Sequence, residues 1–121
     1  QISNVVEYAN DAIVGGGTNV EIARLVISGQ GGPILLFGKA TPATGLSGTA
    51  DMRLWRGGIT SGTLLDLVEL QFTASHPSHG LRGPHVVQKI DDPGSGTTTY
   101  RLSSTGLQVK FVRLQAAELK R

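Results

Sequence analysis

Turn signals interrupt this chain at short, repeated intervals, and that spacing limits its fold more than any other feature. They fall at Gly15-Gly16-Gly17, Gly29-Gln30-Gly31-Gly32-Pro33, Thr44-Gly45-Leu46-Ser47-Gly48, Gly57-Gly58, Ser61-Gly62, His79-Gly80, Asp92-Pro93-Gly94-Ser95-Gly96 and Ser104-Thr105-Gly106. The segments between them are mostly roughly seven to fifteen residues long, the spacing of short strands in an all-β sandwich or barrel. Each signal supplies a residue that takes φ > 0 or a preset turn geometry. Seventeen glycines in 121 residues, with only 17% charged residues, push the balance further towards turns and strands.

The residues between the turns alternate with period two. Met52 and Leu54 oppose Arg53; Tyr100 and Leu102 oppose Thr99, Arg101 and Ser103; Val109 and Phe111 oppose Gln108 and Lys110. Such a period belongs to a strand and not to an amphipathic helix. Strands are expected near 20–28, 33–42, 49–56, 63–74, 84–90, 97–103 and 107–116, with one or two short ones within 2–14. Val6, Ala9 and Ile13 sit at near-helical spacing, and 113–121 is rich in helix formers; both stretches are read as strand or coil. The expected fold is an antiparallel, jelly-roll-like β-sandwich at 20–121, preceded by an N-terminal arm or first short strands at 1–19.

Three segments carry large apolar groups at both parities: Ile34 to Phe37, Leu64 to Phe72, and Phe111, Val112 and Leu114. An antiparallel strand buries one face in its own core and shows the other to water, so two-sided apolarity predicts a covered outer face. The cover is a sister subunit or the chain's own N-terminal segment. On the first reading Leu65, Leu67, Val112 and Leu114 belong to an oligomer interface. Trp55, between Arg53 and Arg56, either anchors that interface, stacks on a sugar or packs against a neighbouring strand.

The absence of cysteine removes disulfides and thiolate metal sites. Eleven basic against nine acidic residues give a net charge of +2, and the basic residues are scattered, so no nucleic-acid stripe is implied. No apolar run approaches the length needed for a membrane-spanning helix. His76, His79 and His85 lack neighbouring carboxylates or thiolates and are read as loop histidines, with neither a metal nor any cofactor expected. Asp91 and Asp92 precede Pro93-Gly94 and are read as turn residues, since the run of alternating acids of a calcium loop is missing. No activated nucleophile, paired-carboxylate setting or phosphate loop is present, so the chain is not expected to be an enzyme.

The stretches Ala50 to Gly58, Ser61 to Leu65, Asp91 to Leu102 and Leu114 to Leu119 together resemble the strand-and-turn pattern of small virion proteins of tailed bacteriophages, which are similar to the trimeric sandwiches of the tumour-necrosis-factor/C1q type. The resemblance spans roughly 20–119. It implies a homotrimer in the virion, as a head decoration, head fibre or tail-associated protein, with capsid or tail proteins as partners. The alternative from another class is a carbohydrate- or receptor-binding module, with binding loops at His76, His79, Arg82, Asp91 and Asp92 and a host glycan as ligand.

Overall fold

A computed structural model describes residues 2–43, 48–72, 84–106 and 108–119. The expected strands are present: β1 (Ile2–Asn10), β2 (Val14–Gly15), β3 (Val20–Gln30), β4 (Ile34–Pro42), β5 (Gly48–Arg56), β6 (Thr63–Phe72), β7 (His85–Asp91), β8 (Ser95–Thr105) and β9 (Gln108–Leu119). The segments at 4–14 and 113–119 with mixed signals are strands, because their apolar residues are used in pairing, β1 running antiparallel to β9 from Ile2↔Leu119 to Asn10↔Val112.

Two antiparallel sheets stack face to face. The larger has the order β1-β9-β4-β7, with β2 also on β9, and the smaller has the order β3-β8-β5-β6. The pairs β5·β6, β4·β7, β3·β8 and β1·β9 are nested in the sequence, one inside the next. That is the jelly-roll: one long hairpin folded over itself, closed where β4 also pairs with β9 and β5 with β8. Within 1–19, read as an N-terminal arm or first short strands, β1 and β2 both pair with β9 in the larger sheet. The exit from β2 is the turn at Gly15 and Gly16, whose φ values of 89° and 99° suit glycine alone among common residues.

The core is the set of inward parities: Leu25 and Ile27 of β3, Ile34 and Leu36 of β4, Met52 and Leu54 of β5, Val87 of β7, Tyr100 and Leu102 of β8, and Val109, Val112 and Leu114 of β9. Gly38 lies in the middle of β4, where a Cβ would sit 3.0 Å from the Leu102 methyls and the Val87 methyl. Its missing side chain is what lets Leu102 of the opposite sheet fill the centre.

Irregularities in the ladders account for two of the three two-sided apolar segments, those of β9 and β6, while 34–37 of β4 alternates regularly. In β9 the register against β4 shifts between Lys39↔Arg113 and Thr41↔Lys110, and Phe111 sits there at φ 52°. The extra residue turns Val109 and Val112 both inward, leaving Phe111 outside. A second shift in β5·β6, at Leu54/Trp55, lets Leu65 join Val68 in packing against the core while Leu64 and Leu67 face outward.

Candidate functional site

Among the described residues, the broad surfaces are the outsides of the two sheets. The larger sheet's outer face is read directly from its register. One cross-strand row consists of Val5, Ala117, Leu35 and Ile90, one residue from each of the four long strands. Val5 is 48% exposed, Leu35 40% and Ile90 60%. Ala117 is buried between Val5 and Leu35. The next row is Glu7, Gln115, Phe37 and Gln88; the one after it is Ala9, Arg113, Lys39 and Val86. Rows on one face lie two residues apart along each strand, about 7 Å.

The second and third rows form a groove of about 260 Å³ lined by Glu7, Tyr8, Phe37, Lys39, Arg113, Leu114 and Gln115. Its polar groups are held in place. Gln115 Nε2 donates to Glu7 Oε1 at 3.0 Å, Arg113 Nη2 donates to Asp11 Oδ1 at 2.7 Å, and Arg113 Nη1 donates to the Val112 carbonyl at 2.9 Å. Lys39 has no ion pair among the described residues.

The smaller sheet's outer face carries ion pairs across its middle and leaves Val26, on the edge strand β3, 49% exposed. Arg101 Nε donates to Glu21 Oε1 at 2.9 Å and Arg53 pairs with Asp51 at 3.2 Å. Trp55, on the face opposite Met52 and Leu54 as expected, is buried within the chain and its Nε1 donates to Ser103 Oγ at 2.8 Å. An exposed pair, Leu64 and Leu67, lies on β6 at this face's edge.

These placements correct several expected site residues. Val112, Leu114 and Trp55 are interior and have no surface to offer a neighbour: the Phe111 bulge draws the first two inward, and Ser103 claims the indole N–H. Leu65 packs partly on the core, so Leu67 alone of the expected interface set is exposed.

Asp91 is no binding-loop residue either. It is buried, it accepts the Tyr100 hydroxyl at 2.7 Å, and Arg56 Nε lies 3.0 Å from its Oδ2. These groups tie β7 of the larger sheet to β8 and β5 of the smaller. Burial, with the Asp91 hydrogen bond and charge adding to it, pushes the Tyr100 hydroxyl well above the ordinary tyrosine range. Asp92 next to it is exposed. His76, His79 and Arg82 lie outside the described residues. His85 is half-buried at the start of β7, opposite Ala40. Among the described residues no three His, Cys, Asp or Glu are grouped to hold a metal.

No protein-family model matches the sequence, and no curated protein matches it. Solved structures do match in fold. Dimeric latent PorU from Porphyromonas gingivalis is similar over 94% of this chain and 12% of its own (TM-score 0.61, 12% identity). The VP2 subviral particle protein of infectious bursal disease virus is similar over 95% of this chain and 33% of its own (TM-score 0.54, 11% identity). The CBM36-1 domain of a multidomain xylanase from the hindgut metagenome of Trinervitermes trinervoides is similar over 98% of this chain and all of its own (TM-score 0.54, 13% identity). Eiger, a TNF of S. frugiperda, is similar over 96% of this chain and 85% of its own (TM-score 0.54, 10% identity). At these identities the likeness is one of fold, the jelly-roll sandwich.

Proposed function

We propose that this chain is a structural subunit that acts by adhesion and not by catalysis, associating with further copies of itself through the outer face of its larger sheet, and that the particle it builds into is a virion. The row of Val5, Ala117, Leu35 and Ile90 carries this reading, because it sets apolar side chains side by side on all four strands of one face. Covering what remains exposed of a half-buried aliphatic side chain is worth about 1 kcal/mol. Three such residues from each copy, Val5, Leu35 and Ile90, approach the lower end of the association cost of about 4–15 kcal/mol, and Phe37 and Val86 extend the patch. The virion assignment draws support from the sequence resemblance to phage virion proteins and from the similarity to a subviral-particle protein. Trimeric order follows from the resemblance alone.

Ile90→Asp tests the face. Ile90 is outward on an edge strand, so the variant should fold with an unchanged circular dichroism spectrum and run by light scattering at the single-chain mass of 12.7 kDa. An assembly that survives this substitution places the contact elsewhere.

The groove favours a second reading, the carbohydrate-binding module. It combines a half-buried aromatic ring, Phe37, with the amide and carboxylate of Gln115 and Glu7 already oriented by their mutual hydrogen bond. Such a mixture of apolar floor and fixed polar groups is the usual make-up of a small-ligand site. The similarity to CBM36-1 is in keeping with it.

A further inference from the structure

Lys39 and Arg113 are direct register partners across β4 and β9 and both line the groove. Like charges set opposite each other on one face of a sheet repel, and here the repulsion is relieved at Arg113 alone. Of the carboxylates near them among the described residues, Asp11 is paired with Arg113 and Glu7 is hydrogen-bonded to Gln115. Lys39 keeps its charge and three donors without an ion-pair partner among the described residues. Arg113 is held by Asp11 at Nη2 and by the Val112 carbonyl at Nη1, which fixes the guanidinium while its remaining N–H groups can donate to a ligand.

One row away on the same strand lies Phe37, and across β9 from it lies Glu7, bound to Gln115. The groove thus grades from Lys39 and the Asp11-bound Arg113 at one side, over an aromatic ring, to a fixed acceptor and amide at the other. Glu7 stands two strands from Lys39 but on the strand next to Arg113 and one row from it, so of the two cations it is Lys39 whose charge lies away from the acids.

We infer that the groove binds an acidic saccharide, a uronic acid unit whose carboxylate is held by Lys39 and Arg113 while its ring face lies on Phe37 and its hydroxyls reach Glu7 and Gln115. The inference rests on the carbohydrate reading and sharpens it to a charged substrate class. An ammonium and a guanidinium recognise a carboxylate by charge-assisted hydrogen bonds. The C–H face of a sugar ring packs on an aromatic face, and forked side chains suit vicinal hydroxyls.

The test is titration calorimetry of the full chain, in the assembly state it adopts, with trigalacturonate and trimannuronate as probes and galactotriose and mannotriose as neutral controls. Saturable binding of at least one acidic trimer is expected, weakened by added salt because the contact is ionic. Lys39→Gln should lower that affinity about tenfold or more, a typical loss for one charged hydrogen bond. Phe37→Leu, which keeps apolar bulk but removes the flat ring, should weaken it independently. Neutral trimers bound as well as the acidic ones, with Lys39→Gln silent, would overturn the charged-substrate inference and leave the carbohydrate reading standing. No binding of any trimer up to millimolar concentration would overturn both. If Lys39→Gln instead lowers the sedimenting mass and leaves saccharide binding unmoved, the lysine serves a neighbouring copy's carboxylate and the inference fails.

Discussion

The outer face of the larger sheet leaves Val5, Leu35, Val86 and Ile90 in solvent, whereas that of the smaller sheet pairs Arg101 with Glu21 and Arg53 with Asp51 and folds Trp55 down onto Ser103. Both faces come from the same alternation of strands that fill one core. Both carry exposed aliphatic groups, and the difference lies in how these are arranged. On the smaller sheet Val26 lies on β3 and Leu64 and Leu67 on β6, at opposite edges, with the ion pairs and Trp55 between them. On the larger sheet Val5, Leu35 and Ile90 line up in one row across the strands, and that continuity is the physical basis for proposing assembly there.

The comparison holds only if the two sheets are fixed to each other, and breaking that link should give the largest effect. Asp91→Ala removes the carboxylate that joins β7 to Tyr100 and Arg56, leaving a buried hydroxyl without its acceptor. Loss of one partner from such a buried pair costs about 3 kcal/mol, to be read as a lowered midpoint in urea unfolding.

Alkaline unfolding examines the same link without mutating the acid. Tyr100 has its folded pKa raised, so above about pH 10 the unfolded chain releases a proton that the folded chain retains. The stabilising contribution is complete below pH 10 and declines as pH rises beyond it, by about 1.4 kcal/mol per pH unit. The Tyr100→Phe variant should lack that increment of slope. Equal slopes in the two proteins would mean that Tyr100 is not shielded as its contacts imply.

Trp55→Phe sharpens the contrast from the side of the smaller sheet. It deletes the indole N–H that meets Ser103 and should cost about 1–2 kcal/mol of folding stability, with no change in assembly mass. A fall in mass instead would restore the tryptophan to the interface expected from its sequence context.

How much of this was legible beforehand depends on the kind of signal. Strand positions were readable because turn residues and period two are local properties, and Tyr100 and Leu102 facing Thr99 and Arg101 is visible in a few letters. That β4 and β6 carry a second apolar set was readable too, and Leu67 was placed outward. Which parity of 34–37 faces out was not, and Leu65 was set outward with Leu67 although it packs on the core.

The misassignment of Val112 and Leu114 has a local cause. One inserted residue at Phe111 reverses parity, and nothing in Lys110-Phe111-Val112 announces a bulge. Asp91 looked like a turn residue because its position beside Pro93-Gly94 says nothing of Tyr100 and Arg56 arriving from the other sheet. The groove was out of reach altogether. Glu7, Lys39 and Arg113 come from three separate stretches of chain, and only the register sets them side by side.

The smallest effect is expected at the exposed leucine of the smaller sheet. Leu67→Asp changes an outward residue at the edge of a face whose middle carries ion pairs, so stability should move by no more than about 0.5 kcal/mol. Its assembly mass should stay that of the unmodified protein, in contrast to Ile90→Asp. Dissociation by Leu67→Asp with retention by Ile90→Asp would exchange the roles of the two faces.

The most direct test of self-association through the larger sheet is sedimentation equilibrium of the unmodified chain across the micromolar range, beside Leu35→Asp. The unmodified chain should sediment at a whole-number multiple of 12.7 kDa, three on the family resemblance, and Leu35→Asp should sediment at 12.7 kDa with its fold intact. A single 12.7 kDa species for the unmodified chain throughout that range would contradict the account.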